Sequence, residues 1–168
     1  MAAEPRWKPS VTVAAVIEHE GRYLLVEEHT ADGLRLNNPA GHLEADESLL
    51  QAVVREVIEE TARVFTPSHL VGVYLARLPR GDGEDITYLR FAFAGSVGEP
   101  EPGRALDAPI VRTLWLTPAE IEACRERHRS PLLWRCVRDH LAGRRFALDL
   151  LVIQTSVDAG DSGRINPA

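Results

Sequence analysis

Cysteine is scarce in this sequence, which has Cys124 and Cys136 and no others among 168 residues. The two do not form a C-x-x-C unit and have no neighbouring histidines at metal-ligand spacing, which argues against a zinc site. A chain of this length can bury a sufficient core without disulfides. We therefore expect both cysteines to be reduced side chains on helices.

Long apolar runs are also missing. No stretch approaches the roughly 20 apolar residues that are needed to span a bilayer. The first ten residues, MAAEPRWKPS, contain no apolar run that would suit a signal peptide. These features predict a cytoplasmic protein without a membrane partner.

The sequence lacks an excess of positive charge. Its 19 lysines and arginines are outnumbered by 25 aspartates and glutamates, which gives a formal net charge of −6. This balance argues against nucleic acid as a partner, because phosphate backbones attract basic surfaces. Acids concentrate in 44–60 and arginines in 125–145, and an acidic pocket for an anionic substrate needs metal ions to reverse its sign. We expect a small phosphorylated molecule as the partner, and both a monomer and a homodimer remain open.

Hydrophobic periodicity and turn residues predict the secondary structure. Strands are predicted at 11–17, 22–27, 70–78, 86–94 and 110–116. Helices are predicted over 48–63, from Thr117 and from Ser130, the last of them ending at Gly143. A loop is predicted over 31–41 and a turn at 79–83.

This order of elements predicts an α+β fold, an α/β/α sandwich in which a mixed β-sheet packs between helices. We expect one domain over 7–153. Segments 1–6 and 154–168 are expected to be flexible tails, the second because its apolar periodicity is lost.

The most informative segment is the predicted helix over 48–63. Glu56 and Glu60 lie together at the edge of its apolar stripe, with Glu59 further round toward solvent. Three carboxylates on adjacent turns repel one another, so a bound cation would stabilise them. Oxygen ligands suit Mg²⁺, with Mn²⁺ as the alternative. A solvated acidic face is the competing interpretation, and periodicity alone does not decide between the two.

This region resembles the Nudix box, the signature of a family that hydrolyses nucleoside diphosphates linked to other groups. The pattern is Gly, five residues, Glu, seven residues, Arg-Glu, an aliphatic residue, any residue and Glu-Glu. Seven positions match at the family's spacing: Gly41, Glu47, Arg55, Glu56, Val57, Glu59 and Glu60. So many fixed positions make the match specific. The sequence departs from the family just after them, where Ala62 replaces a glycine and Arg63 replaces an aliphatic residue.

Four segments are similar to the NudJ-type phosphatases of this family: 8–14, 38–47, 89–91 and 129–132. The similarity runs through roughly residues 7 to 150. It implies a Nudix fold and an Mg²⁺-dependent enzyme. Such an enzyme releases phosphate from nucleoside di- and triphosphates, hydroxymethylpyrimidine diphosphate and thiamin diphosphate.

The resemblance implies a metal site on the predicted helix. Glu56 and Glu60 would be the main ligands, with Glu59 either a further ligand or a support for the ligands. The carbonyl of Ala40 could complete the site. Arg55 would orient a glutamate through a charge-assisted hydrogen bond.

The loop before the helix and the glutamates around it carry further implied roles. Glu56 is expected to be the general base, with Glu44 as the alternative. Gly41 would permit a sharp turn and close approach of the backbone to phosphate. Glu47 would hold the loop.

Four residues are candidates for substrate contacts: Gly41, His42, Arg90 and Arg129. Arg129 stands at a predicted helix N-terminus, which favours anions, although an ordinary N-cap is the alternative. Arg90 would be either a substrate arginine or one side of a surface ion pair. His42 would either face the pocket or be structural.

Two other functions remain open at this point. One is hydrolysis within a linked diphosphate, such as ADP-ribose or a dinucleoside polyphosphate. The other is a Nudix-fold regulator that binds a nucleotide without cleaving it. The complete set of acidic residues argues against the regulator, whereas the two departures from the family pattern argue for it.

Overall fold

A computed structural model describes residues 6–79 and 85–153. Its strands are β1 (Ser10–His19), β2 (Arg22–Thr30), β3 (Gly33–Asn37), β4 (Ala40–His42), β5 (Phe65–Pro79), β6 (Asp85–Val97) and β7 (Ile110–Leu116). Its helices are α1 (Leu49–Thr61), α2 (Pro118–Ala123) and α3 (Leu132–Leu141), with 3₁₀ turns at Arg125–Arg127 and Leu148–Leu150. The turn expected at 79–83 and the two expected tails lie outside the described residues, apart from Pro79 and Arg6.

The prediction of a loop over 31–41 is wrong, because this segment contains β3 and the start of β4. Strand β3 pairs antiparallel with β2, and β4 pairs antiparallel with β1. Both strands are short and contain glycine or asparagine, which are depleted in strands. Strand β3 forms a tight hairpin with the preceding strand β2, whereas β4 pairs with β1, which lies far away in the chain and is not revealed by a local pattern.

The strands form one mixed sheet in the order β3-β2-β1-β6-β5, with β4 also pairing with β1 and β7 with β2. Strand β1 runs parallel to β6, and the other strand pairs are antiparallel. Alternate residues of β1 join two apolar clusters, one containing the buried face of α1 and the other that of α3. This layering confirms the predicted α+β sandwich. No helix among the described residues is long and apolar enough to cross a membrane.

The register of four strands places a line of polar side chains across one face of the sheet. Thr12 of β1 is opposite His42 of β4 and also opposite Arg90 of β6. Arg90 is in turn opposite Tyr74 of β5. Residues directly opposite one another share a face. We call these four residues the polar row.

Candidate active site

Helix α1 begins where the sequence predicts it, because Ser48 and Gln51 form a capping box. The Ser48 hydroxyl accepts from the Gln51 N–H at 3.1 Å, and Gln51 Oε1 accepts from the Ser48 N–H at 2.8 Å. One face of the helix is buried against β1. This burial fixes the rotation of the helix and brings Glu56 and Glu60 against β4.

Arg55 of α1 forms hydrogen bonds with three acidic side chains, one from the loop before the helix and two from the helix itself. Its Nη2 and Nε donate to Glu47 at 2.7 and 3.0 Å, and its Nη1 donates to Glu56 at 2.7 Å and to Glu59 at 3.0 Å. Nη2 also donates to the His42 carbonyl at 3.0 Å. The hydrogen bonds from Arg55 are the main reason that the pKa of Glu47 is lowered. Arg55 thus orients three carboxylates and ties the loop to the helix.

Glu60 is held by the backbone of β4. The Ala40 N–H donates to Glu60 Oε2 at 2.8 Å. The Ala15 N–H donates to the Pro39 carbonyl, so in the ladder with β1 the N–H and carbonyl of the next residue, Ala40, point away from β1. Both main-chain groups of Ala40 therefore lie on the side of Glu60.

The two carboxyls facing β4 lie where negative charge is unfavourable. Burial raises the pKa of Glu60 to about 8, and the charges of Glu56 and Glu28 also raise it. Burial likewise raises the pKa of Glu56, although hydrogen bonding to Arg55 opposes the shift. A cation bound between such carboxyls would stabilise their ionised forms.

The expected sharp turn at Gly41 is wrong. The residue lies in β4, and it is not among the glycines with positive φ. A methyl group added at this position would lie 2.1 Å from the carboxyl carbon of Glu56. Glycine here leaves the space in which the Glu56 carboxyl lies against the backbone.

The donor atoms at this edge are all oxygens, from the carboxyls of Glu56 and Glu60 and the carbonyl of Ala40. Such a set fits Mg²⁺ or Mn²⁺ rather than a soft metal. Within 6–79 and 85–153, no three His, Cys, Asp or Glu side chains lie close enough together to form a metal site. Glu59, expected either as a ligand or as a support for the ligands, accepts a hydrogen bond from Arg55 at 3.0 Å and lines a mainly apolar cavity of about 600 Å³ on the outer face of α1.

A second cavity, of about 230 Å³, opens beside β4. It brings together four residues that the sequence predicts as substrate contacts: Gly41, His42, Arg90 and Arg129. Ala40, which holds Glu60, also lines it. This cleft is the candidate active site, because Ala40, whose N–H binds Glu60 of α1, lines it together with two arginines, although Glu56 and Glu60 are not among its lining residues.

The two arginines of the cleft have different surroundings. Arg129 is half-exposed and donates a hydrogen bond to Glu28. Its own N–H donates to the Leu36 carbonyl at 2.8 Å. Arg90 is 8% exposed, so its prediction as part of a surface ion pair is wrong. Near Arg129, helix α3 begins at Leu132, whose N–H donates to the Ser130 hydroxyl at 3.3 Å, while the N-cap residue Pro131 forms no side-chain cap hydrogen bond.

Sequence reasoning misses Thr12 and Glu28, which also line the cleft. The signal for Glu28 is a pair of glutamates at the end of an otherwise apolar strand, and burial raises the pKa of Glu28. Glu44, the alternative general base, is exposed in the loop, where its N–H donates to Glu47 at 2.8 Å. It is not among the residues that line the cleft.

The departures from the family pattern lie at the end of α1, away from the carboxyls. Ala62 has φ 55° and takes the left-handed conformation that the family's glycine favours. Arg63 donates to the Gly98 carbonyl at 2.8 Å, and its guanidinium lies 5.9 Å from the centre of the Trp115 ring. Both residues thus stabilise the end of α1 and the segment that follows it.

Known proteins resemble this chain over most of its length. A family model described as NUDIX domain matches residues 6–135. Phosphatase NudJ of Escherichia coli is 38% identical over 146 residues, which cover 86% of this chain and 92% of that protein. A solved NUDIX hydrolase from Nitrosomonas europaea is 48% identical with a TM-score of 0.81, covering 88% of this chain and 98% of its own. A MutT NUDIX hydrolase from Burkholderia pseudomallei, 18% identical, shares the fold with a TM-score of 0.65 over 79% of this chain and 98% of its own.

The sequence match, the fold and the carboxylate helix thus agree. The family match covers the box and both cleft arginines, and the similarity to Phosphatase NudJ extends over most of both chains. The chain therefore belongs to the Nudix family and is a Nudix phosphohydrolase.

Proposed function

We propose that this protein is an Mg²⁺-dependent hydrolase that releases inorganic phosphate from small di- and triphosphates. The proposed substrates are nucleoside di- and triphosphates, hydroxymethylpyrimidine diphosphate and thiamin diphosphate, with Mn²⁺ as the alternative metal. One observation carries the proposal. The half-buried carboxyl of Glu60 accepts a hydrogen bond from Ala40, which lines the same cleft as Arg90 and Arg129.

The charges of the cleft support a phosphate-containing substrate. Acidic groups on one side would hold a divalent cation, and guanidinium groups on the other form strong hydrogen bonds with phosphate oxygens. Identity of 38% to Phosphatase NudJ over 92% of its length favours phosphate release over cleavage between linked groups.

Each residue of the site has a proposed part in the reaction. Glu56, Glu60 and the Ala40 carbonyl would hold the metal, which when bound would neutralise phosphate charge and make water a better nucleophile. Glu56 would accept the proton of the attacking water, because its carboxyl lies against Gly41, the neighbour of Ala40 in β4. Arg55 engages Glu56 Oε1 at 2.7 Å, which leaves Oε2 free of Arg55.

The remaining cleft residues would bind the substrate. Arg90 and Arg129 would pair with phosphate oxygens and offset their charge. His42 is exposed, and its ring lies 6.4 Å from that of Tyr88, centre to centre. This pair would contact the organic group, because aromatic faces suit a flat ring.

Product analysis tests the proposal. The purified protein would be incubated with each proposed substrate and with ADP-ribose, in Mg²⁺ and in excess chelator. We expect metal-dependent release of inorganic phosphate from the di- and triphosphates. Two monophosphates from ADP-ribose, without phosphate from the others, would contradict the proposal in favour of linked diphosphates. A silent panel in which nucleotides still raise the melting temperature would indicate a binding protein instead.

A further inference from the structure

Two histidines, His69 of β5 and His140 in the last turn of α3, stack on one another outside the cleft. Their ring centres lie 5.9 Å apart, and their ring planes differ by 11°. Both side chains are half-buried, and neither lines the cleft. We call these two residues the histidine pair. Uptake of a proton by both rings would place two positive charges side by side, which is unfavourable.

The hydrogen bonds of His69 show which of its ring nitrogens carries the proton. Arg145 Nη1 lies 3.4 Å from His69 Nε2, and because a guanidinium only donates, Nε2 accepts. Ser68 Oγ lies 2.8 Å from His69 Nδ1, and the Ser68 hydroxyl donates its own proton to the Ala94 carbonyl at 3.1 Å. The Ser68 oxygen therefore accepts from Nδ1–H. His69 is neutral in this arrangement, with its proton on Nδ1.

The same reasoning applies to His140, whose Nδ1 lies 2.8 Å from the Tyr23 hydroxyl. Burial raises the pKa of Tyr23 to about 12, so the hydroxyl keeps its proton at neutral pH. Among the residues that the structure describes, this hydroxyl has no other hydrogen-bond partner, and it therefore donates to Nδ1. His140 is thus also neutral, with its proton on Nε2.

The charged groups around the pair also favour its neutral form. Burial is the main reason that the pKa of each histidine is lowered from 6.5, and the positive charge of Arg145 lowers both further. The charge of His140 acts on His69 in the same direction, whereas Glu18 of β1 opposes the shift at His140. The folded state therefore binds these protons less tightly than the unfolded state. Stability is lost as the pH falls from 6.5 through the lower pKa values of the folded state.

The contact between His69 and Arg145 adjoins the place where the segment after α3 joins β5. Leu70 and Phe146, the residues that follow them, exchange two backbone hydrogen bonds, each of 2.9 Å. Further along this segment, Leu148 packs against the apolar cluster that contains the buried face of α1. The backbone pair and the histidine contact thus hold one segment, 144–151, over this cluster.

We propose that the histidine pair is a proton-sensitive contact, which holds segment 144–151 against β5 while both rings are neutral and releases it when they take up protons. A proton on His69 Nε2 removes the acceptor of Arg145 and brings two positive charges together. A proton on His140 Nδ1 removes the acceptor of the Tyr23 hydroxyl.

The release exposes apolar surface. Once the side-chain contact is lost, the backbone pair of Leu70 and Phe146 is the remaining link between the segment and β5 at this point. Opening of that pair frees Leu148 from the cluster beneath α1. Acid thus favours a form of the folded protein in which this cluster is partly uncovered.

Nuclear magnetic resonance of the ring nitrogens tests the neutral state directly. At about pH 8 we expect the proton on Nδ1 of His69 and on Nε2 of His140, and both rings should titrate below their ordinary pKa. Arg145→Gln should raise the titration midpoint of His69, because a positive charge is removed. Arg138→Gln is the matched control, because Arg138 is not among the charges that shift the pKa of either histidine. The opposite proton positions, or titration of both rings above 6.5, would overturn the proposal.

Amide hydrogen exchange tests the release. After correction for the intrinsic effect of pH, the N–H groups of Leu70 and Phe146 should exchange about tenfold faster at about pH 5 than at about pH 7.5. His69→Gln combined with His140→Gln takes up no proton at either position and should lose this difference. His29→Gln, a change at an exposed histidine of β2, is the matched control and should keep it.

The pattern of exchange separates local release from other effects of acid. Exchange at Leu70 and Phe146 that does not depend on pH, or that accelerates equally at every amide, would overturn the proposal. Titration of Glu60 does not imitate the expected result, because its effect on stability has the opposite sign. Neither measurement needs turnover, so the histidine pair and the proposed function are tested independently.

Discussion

The contact between Gly41 and Glu56 determines where the proposed general base lies. A carboxyl that packs on bare backbone has little freedom to move, and Arg55 fixes one of its oxygens at 2.7 Å. Burial and hydrogen bonding thus position Glu56 from two directions. Gly41 matches the Nudix box for a physical reason, because the absence of a side chain leaves space for the Glu56 carboxyl.

Gly41→Ala should abolish most activity while leaving the protein folded. A methyl group would lie 2.1 Å from the Glu56 carboxyl, so the carboxyl must move away. A displacement of this order costs about 100-fold in rate, which steady-state kinetics would measure as kcat/KM. Gly98→Ala is the matched control, because a methyl group there meets no atom within 4 Å. Equal activity in the two variants would contradict the role assigned to Gly41.

The ionisation of Glu60 should make the stability of the metal-free protein depend on pH. Its pKa is raised from the ordinary 4.5 to about 8, so the folded state holds this proton more tightly than the unfolded state. The free energy of unfolding therefore decreases as pH rises from about 4.5 to about 8. Glu60→Gln cannot ionise and should gain stability relative to the wild type across this window. Urea unfolding in chelator at both ends of the window measures the difference, and a difference that does not change with pH would contradict the assignment.

At the scale of elements, helix α1 ends in a strained residue. Ala62 adopts a left-handed conformation, its N–H donates to the Ile58 carbonyl at 2.9 Å, and its carbonyl accepts from the Glu101 N–H at 2.7 Å. These hydrogen bonds hold the residue in a conformation that costs an alanine more than a glycine. The departure from the family pattern therefore affects stability rather than the carboxyls.

Ala62→Gly should stabilise the protein by about 1 kcal/mol, because glycine adopts the left-handed conformation without the clash of a side chain. Urea unfolding would measure the gain, and kcat/KM should stay within about twofold of the wild type. Ala119→Gly in α2 is a control with the opposite sign, since glycine weakens a helix by roughly 0.5–1 kcal/mol. A destabilised Ala62→Gly would show that the conformation of Ala62 is not strained.

At the scale of the whole molecule, the sequence is most informative where structure is local. The capping box at Ser48 and the spacing of the glutamates predict both the start of α1 and the carboxyls it carries. Strand β3 forms a hairpin with β2 and is missed because it contains glycine and asparagine, which are depleted in strands, whereas β4 is missed because its partner β1 lies far away in the chain. The hold of Ala40 on Glu60 depends on that same missed pairing.

The cleft itself follows from long-range register. Thr12, Arg90 and Tyr74 belong to three strands, and only the pairing of those strands places them in one row. The motif therefore predicts the glutamates of the site. The position of the residues on the strands opposite them follows only from the folded structure. For the same reason the sequence identifies Arg90 as a candidate substrate contact but does not predict that its side chain is buried.

The most direct test of the account is the rate of phosphate release from a nucleoside diphosphate as a function of Mg²⁺ concentration. Wild type, Glu60→Gln and the exposed control Glu122→Gln would be compared. We predict a saturable Mg²⁺ dependence of the rate for wild type and Glu122→Gln. In Glu60→Gln we predict a rate at least about 100-fold lower, because mutation of a residue that only supports a metal ligand already lowers activity 10–100-fold. Near wild-type turnover in Glu60→Gln, or turnover in the wild type that ignores Mg²⁺, would contradict the metal site on α1.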